Sequence, residues 1–256
     1  MSNESTIEKM RVAVFESNEA LGEAAADDFA EIVGRALTER GEVSVIFATG
    51  NSQLSFFGAL QKRRGLPWDR IVAFHMDEYL DMPERHPASF RKFLRDRLDD
   101  VFRPRSLHGI RGDAPDPQAE LQRYAAELGK HQPTICILGI GENGHLAFND
   151  PPADFYTDKV IQIVTLDEAC RRQQVGEGHF PDIDAVPRRA MSLTIPTLLK
   201  PQHVMALVPE ARKAKAVKAA LEGPVTEACP ASILRTRSNV KLYLDRASAG
   251  LVTLPS

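Results

Sequence analysis

The unbroken apolar run Ile135-Cys136-Ile137-Leu138, resumed by Ile140 after one glycine, limits what this chain can fold into more than any other stretch. It lacks the apolar–polar alternation of a strand with one wet face. A run of this kind suits a strand buried on both faces, as in a parallel sheet covered by helices. Gly139, Gly141 and Gly144 then let the backbone turn tightly and approach a ligand closely. The turn delivers Glu142, Asn143, His145, Asn149 and Asp150 before Pro151 ends it. Loops beyond the carboxyl ends of strands are where open α/β sheets bind ligands, so this loop is a candidate active-site segment. Taken alone, it also fits a Gly-rich connection with a solvated histidine.

The rest of the chain repeats the pattern. Strands are expected at 11–15, 43–48, 71–74, 191–195, 203–208 and 240–244, with an alternating strand at 159–166. Helices are expected at 18–39, 52–64, 89–99, 115–129 and 210–221. The first of these carries Leu21, Ala25, Phe29, Ile32, Val33 and Leu37 at helical spacing, with Gly41 placed to end it. This alternation predicts one doubly wound, Rossmann-like α/β domain, its mostly parallel sheet covered by helices on both faces. The segment 152–190 breaks the pattern. From 167 to 189 it is polar, rich in Gly and Arg and without a clear period, which reads as a lid over the site or an ordinary surface loop.

A chain of 256 residues, 43% hydrophobic, can bury a full core. The net charge of −3, with mixed signs, gives no reason to expect a nucleic-acid or anionic-membrane partner. Three widely spaced cysteines without a CxxC pair argue for a reducing compartment and against a structural zinc. The polar N-terminus lacks the apolar core of a signal peptide, and no stretch reaches the ~20 apolar residues of a membrane span. A soluble cytoplasmic protein is expected.

Two further strand ends carry chemistry. The strand at 43–48 runs into Thr49-Gly50-Asn51-Ser52, where the free N–H groups of a helix start and two hydroxyls suit a phosphate. It is not a Walker A loop, and a simple N-cap explains the turn equally well. The strand at 71–74 ends in His75-Met76-Asp77-Glu78-Tyr79, where only one of the adjacent carboxylates can face a common site. Together the three ends bring a phosphate anchor, a carboxylate base and a histidine to one pocket. That set suits proton abstraction beside the carbonyl of a sugar phosphate.

The segments Phe74 to Tyr79, His86-Pro87-Ala88-Ser89-Phe90 and Gly139 to Pro151 resemble the glucosamine-6-phosphate deaminase family. Its superfamily also holds 6-phosphogluconolactonases, and the likeness runs from the Thr49-Gly50 turn to Leu221-Glu222-Gly223. Phe148-Asn149-Asp150-Pro151 favours the deaminase side. The resemblance implies that Asp77 moves the proton between C2 and C1, and that His145 opens the pyranose ring. Asp150 stands where the family has an assisting glutamate, and Asn143 where some members have an aspartate. Thr49, Gly50, Asn51, Ser52 and Lys213 would hold the phosphate of an amino-sugar phosphate. The implied reaction is hydrolytic: glucosamine 6-phosphate and water give fructose 6-phosphate and ammonia, with no metal or organic cofactor.

The departures raise their own expectations. Asn143 can orient His145 but cannot carry charge, and Asp150 is one methylene shorter than glutamate. The family's substrate-reaching arginine has no clear counterpart; Arg171, Arg172 and His179 are the candidates. Glu78 is expected to support the site rather than act as base. The allosteric residues of some members are not recognisable around 156–164, and a homo-oligomer stays open. The rival readings are a 6-phosphogluconolactonase, a deaminase or isomerase for galactosamine 6-phosphate, and a sugar-phosphate sensor. The last would normally carry an N-terminal helix-turn-helix and needs no base at Asp77.

Overall fold

The computed structural model describes residues 3–253. The chain opens with β1 (Asn3–Ile7) and β2 (Met10–Phe15), then α1 (Asn18–Arg40). The Ser17 hydroxyl caps α1 by accepting from the Ala20 amide, and Gly41 closes it at φ +74°. Leu21, Phe29 and Val33 of α1 are fully buried. Each is worth about 1.5–3 kcal/mol relative to exposure, which makes this helix a principal wall of the core.

β3 (Val43–Phe47) leads through a single 3₁₀ turn, Asn51–Gln53, into α2 (Leu54–Lys62). β4 (Ile71–His75) and the short β5 (Asp77–Tyr79) follow, then α3 (Phe90–Leu94). A π turn at Arg95–Asp99 joins α3 to α4 (Asp100–Phe102). β6 (Ser106–His108), α5 (Pro117–His131) and β7 (Ile135–Leu138) complete the first half. The second half holds β8 (Ile161–Thr165), α6 (Glu168–Gly176), β9 (Arg189–Leu193) and α7 (Ile195–Leu199). It ends with β10 (His203–Val208), α8 (Ala214–Glu222) and β11 (Val240–Asp245).

The main sheet has the order β1-β2-β11-β10-β7-β3-β4-β6 and is parallel except at β1. Every residue of β3, β4 and β7 is buried, Ser44 and His75 included, as strands covered on both faces require. Alternate side chains of these strands face opposite layers. Val43, Val45 and Phe47 pack with α1, α2 and Leu94, whereas Ile46, Phe74 and Leu138 pack with Leu128 of α5, Leu198 of α7 and Val217 of α8. The sheet is doubly wound. From β3 the chain steps outward to β4 and β6; it returns at β7, beside β3, and steps outward the other way. The carboxyl ends of β3 and β7 therefore flank the switch point, where such sheets leave a crevice.

The structure differs from the sequence expectations in identifiable places. β1 forms an antiparallel edge strand from a polar stretch that carries no burial signal. β5, β9 and β8 do not join the main sheet but form a separate antiparallel one, in the order β5-β9-β8. The expected strand at 191–195 is shifted to Arg189–Leu193, and Ile195 opens α7 behind Thr194. The aperiodic segment 167–189 contains α6, capped by the Asp167 side chain on the Cys170 amide. Its buried residues are Cys170, Arg171, Gln173 and Gln174, so no apolar stripe announces it.

Candidate functional site

The switch-point crevice is a cavity enclosing about 560 Å³ of space, its open mouth included. Three strand ends and α6 line it. Behind β3, Gly50 adopts φ +98° and ψ 174°, a conformation essentially reserved for glycine. This bend turns Thr49, Asn51 and Ser52 onto the cavity wall at the start of α2. Lys213 reaches the same end from the turn before α8 and is buried there. Burial pushes its pKa down, with Arg212 adding to the effect, and Glu177 opposes them. The turn bearing Lys213 is held by Asp245, whose carboxylate accepts the Glu210 amide at 3.1 and 3.2 Å.

At the end of β4 the two adjacent carboxylates separate. Asp77 faces the cavity, and among the described residues no donor meets its carboxylate. Burial, reinforced by Glu78, raises its pKa well above the ordinary carboxylate range. Glu78 points away and is enclosed. It accepts the Ser89 hydroxyl at 2.7 Å and the Tyr79, Phe90 and Arg91 amides at 3.1, 3.2 and 3.0 Å. It thereby fastens β5 to the start of α3. Its burial still outweighs these bonds and keeps its pKa raised.

Behind β7 the His145 imidazole lies flat against Gly141. A Cβ at that position would stand 2.2–2.4 Å from the ring atoms, so only glycine fits. His145 Nδ1 is 3.1 Å from Asp150 Oδ1, and both side chains are buried. Asp150 also accepts from Asn143 Nδ2 at 3.0 Å and from the Asp167 amide at 3.0 Å. Burial works against its charge, but the His145, Asp167 and Asn143 hydrogen bonds together hold its pKa below the usual value. The same Asn143 amide donates to Asp167 Oδ2 at 2.9 Å, while its oxygen accepts the His145 backbone N–H at 3.1 Å. Asn143 thus ties histidine, acid and the first residue of the α6 cap into one network.

α6 supplies the fourth wall through Gln173, Gln174 and Glu177, with His179 beyond it. Below it the aromatic residues of three motifs meet: Tyr79 packs on Phe90 and Phe148 at 5.1 Å each, and on Phe180 at 5.4 Å. The Tyr79 hydroxyl donates to Gln174 at 2.8 Å. Glu177 turns its carboxylate toward two cations, 3.5 Å from Arg212 and 3.9 Å from Lys213, and lies 3.4 Å from His179.

Residues 16–243 match the family model described as glucosamine-6-phosphate isomerases/6-phosphogluconolactonase. The chain belongs to this family. A glucosamine-6-phosphate deaminase of Bacillus cytotoxicus is 30% identical over 242 residues, 94% of this chain and 89% of that protein. One of an Exiguobacterium species is 33% identical over 202 residues, 79% of this chain and 78% of its own. A solved structure described as a monomeric glucosamine-6-phosphate deaminase superposes with a TM-score of 0.86 at 30% identity, covering 94% of this chain and 99% of that one. A 6-phosphogluconolactonase of Shewanella baltica reaches 0.75 at 18% identity, covering 94% and 98%, and shares the fold.

Within this isomerase/lactonase fold, Thr49, Gly50, Asn51, Ser52, Asp77, His145 and Lys213 line one cavity. Asn143 and Asp150 stand directly behind His145. Of the three lid candidates, His179 alone reaches the cavity. Arg171 is turned inward onto the Ile183 carbonyl, and Arg172 pairs with Glu168 at 2.8 Å on the outer face of α6. Gln173, Gln174 and Glu177 were not singled out in the sequence. Their spacing of one helical face was visible, but polar residues on a buried face look like a solvated one. His75 is buried, its Nε2 accepting the Ile110 amide. Asn149 pins the loop to β9 by donating to the Leu193 carbonyl at 2.8 Å.

Among the described residues two groups bring metal-type donors within 4.8 Å of one another: His145 with Asp150 and Cys170, and His108 with Glu127 and His131. In the first, burial and the neighbouring Asp150 and Asp167 keep the Cys170 thiol protonated. No helix among the described residues is long and apolar enough to cross a membrane.

Proposed function

We propose that the chain catalyses the isomerising deamination of glucosamine 6-phosphate, giving fructose 6-phosphate and ammonia with uptake of one water. The observation that carries this reading is one cavity with a desolvated carboxylate at Asp77, an acid-oriented imidazole at His145 and a hydroxyl- and lysine-lined end. The names of the relatives agree with it. The phosphate sits against Thr49, Gly50, Asn51, Ser52 and Lys213, which fixes the sugar at the end remote from the chemistry. With Nδ1 facing Asp150 Oδ1 at 3.1 Å, the other nitrogen of His145 exchanges the proton that opens the pyranose ring. Ionised Asp150 stabilises the imidazolium formed on the way.

Asp77 then takes the proton from C2 and returns it to C1. Its desolvated setting makes it a stronger base than a carboxylate in water. Hydrolysis of the resulting ketimine releases ammonia. The family description is of isomerases, so the hydrolase classification expected from the sequence gives way to isomerase/deaminase. The free cysteines Cys136, Cys170 and Cys229 fit a cytoplasmic setting.

The test is release of ammonia and ketose phosphate from glucosamine 6-phosphate by wild type and by Asp77→Asn. Activity that collapses in the variant supports the reading. Hydrolysis of 6-phosphogluconolactone without ammonia release overturns it and moves the chain to the lactonase branch.

A further inference from the structure

A second cavity, enclosing about 770 Å³ of space with its open mouth included, lies behind the strand that presents Asp77, and no residue lines both it and the catalytic cavity. Arg91, Arg95, Arg111 and Arg123 line it, against a single lining carboxylate, Glu84. These arginines come from α3, the π turn after it, the loop beyond β6, and α5. Four elements thus converge four guanidinium groups on one space.

Local carboxylates neutralise them only in part. Arg91 bonds Asp113 at 2.7 Å and lies 3.6 Å from Glu78 and 4.0 Å from Glu84, Arg123 bonds Glu120 at 2.6 Å, and Arg95 pairs with Glu84. The exposed Arg111 side chain is left without an ion-pair partner among the described residues, and Arg91 Nε, 3.6 Å from the Glu78 carboxylate, makes no hydrogen bond. His75 adds a third unmet donor at the cavity wall. Its Nε2 accepts the Ile110 amide at 2.6 Å, so the proton resides on Nδ1, which is buried and finds no acceptor. The field there is positive: after burial, the charges of Arg91 and Arg123 are what depress His75, to about 3. Buried donors left unmet are costly, and a forked guanidinium can meet two oxygens of a phosphate at once.

We infer that this arginine cavity is a second anion site, which takes a dianionic phosphate group, free or carried on a small metabolite. It is separate from the phosphate-holding end of the catalytic cavity assumed under the proposed function. The backbone between the two is short, since His75 and Asp77 flank Met76 and Arg91 donates its amide to Glu78.

The test is calorimetric titration of inorganic phosphate, and separately of glucose 6-phosphate, into wild type, Lys213→Ala, and Lys213→Ala carrying Arg95→Gln and Arg111→Gln. Both of these arginines are exposed, so the fold is retained, which circular dichroism checks. Wild type is expected to bind two equivalents, and Lys213→Ala one. The arginine changes weaken that remaining equivalent tenfold or more. Tighter binding of the ester than of phosphate identifies a metabolite as the natural occupant; equal binding identifies the free ion. Loss of all binding in Lys213→Ala, or remaining binding indifferent to the arginines, overturns the inference. Binding that responds to the arginines but not to Lys213 upholds it and removes the catalytic phosphate site instead.

Discussion

The Glu177 carboxylate stands 3.9 Å from the Lys213 ammonium, inside the cavity end that carries the Thr49–Ser52 turn. Burial alone would favour its neutral form. Hydrogen bonds from His179 and Gln173, with the charges of Lys213 and Arg212, reverse this and hold it at about 2. A phosphate entering this end meets a resident anion with the same partners. Glu177→Gln is therefore expected to lower KM for the sugar phosphate about three- to tenfold, the range of roughly 0.7–1.4 kcal/mol. The sign for stability is opposite. A depressed carboxylate contributes stability above its unfolded value of 4.5, which is lost as pH falls toward 2. The variant should melt lower than wild type at neutral pH, and the gap should close in acid. A raised KM would show Glu177 to be a substrate contact rather than a competitor.

Asp77 is buried facing the cavity at the expense of stability. Its raised pKa means that the folded protein holds this proton more tightly than the unfolded chain does. The stability it contributes is present at low pH and is lost as pH rises through the folded value. Asp77→Asn should consequently melt higher than wild type at pH 7, while kcat falls by about 10²–10⁴, the usual worth of a positioned base. The acid limb of kcat/KM should lie well above the ordinary carboxylate range. A limb near 4 would remove the desolvated base from the account.

Gly141 tests whether the imidazole must lie where it does. A methyl group at this position would sit 2.2 Å from the ring of His145, far inside contact distance. Gly141→Ala should push the ring off Asp150 and reduce kcat by about 10²-fold or more, the scale of a 1 Å misplacement. KM should change little, because Thr49, Ser52 and Lys213 are on other elements. Unchanged kcat would mean that His145 has more freedom than the packing suggests.

The parallel layers were legible because β3, β4 and β7 are almost wholly apolar, with only Ser44 inside β3 and His75 at the end of β4, a pattern with few other uses. Asp77 and His145 were legible because each follows a buried strand, whereas Lys213 was suggested only by the family resemblance and stands in the 3₁₀ turn before α8, not on the helix. β1 was not, since an edge strand with a wet face can be built from Glu4, Ser5 and Thr6 as well as from any apolar series. α6 was hidden for the converse reason. Gln173, Gln174 and Glu177 face a polar cavity, so burial there selects hydrogen-bonding groups. Arg171 and Arg172 were candidates for the family's substrate-reaching arginine, yet it is His179, past the end of α6, that reaches the cavity.

Asn143 looks like a defect beside the aspartate of some relatives, and its partners explain it. Its amide donates to Asp150 at 3.0 Å and to Asp167 at 2.9 Å, so two carboxylates share one donor group. Asn143→Asp would place a third carboxylate between them and remove both hydrogen bonds. The expected cost is about 1–3 kcal/mol of stability, with a fall in kcat as Asp150 loses its orientation toward His145. The companion change Asp167→Asn restores a donor facing position 143, and asparagine caps a helix as well as aspartate does. The double variant should then recover most of the stability lost by Asn143→Asp, a coupling that a thermodynamic cycle measures directly. If the two effects simply add, Asn143 and Asp167 are independent, and the residue at 143 was not set by the cap of α6.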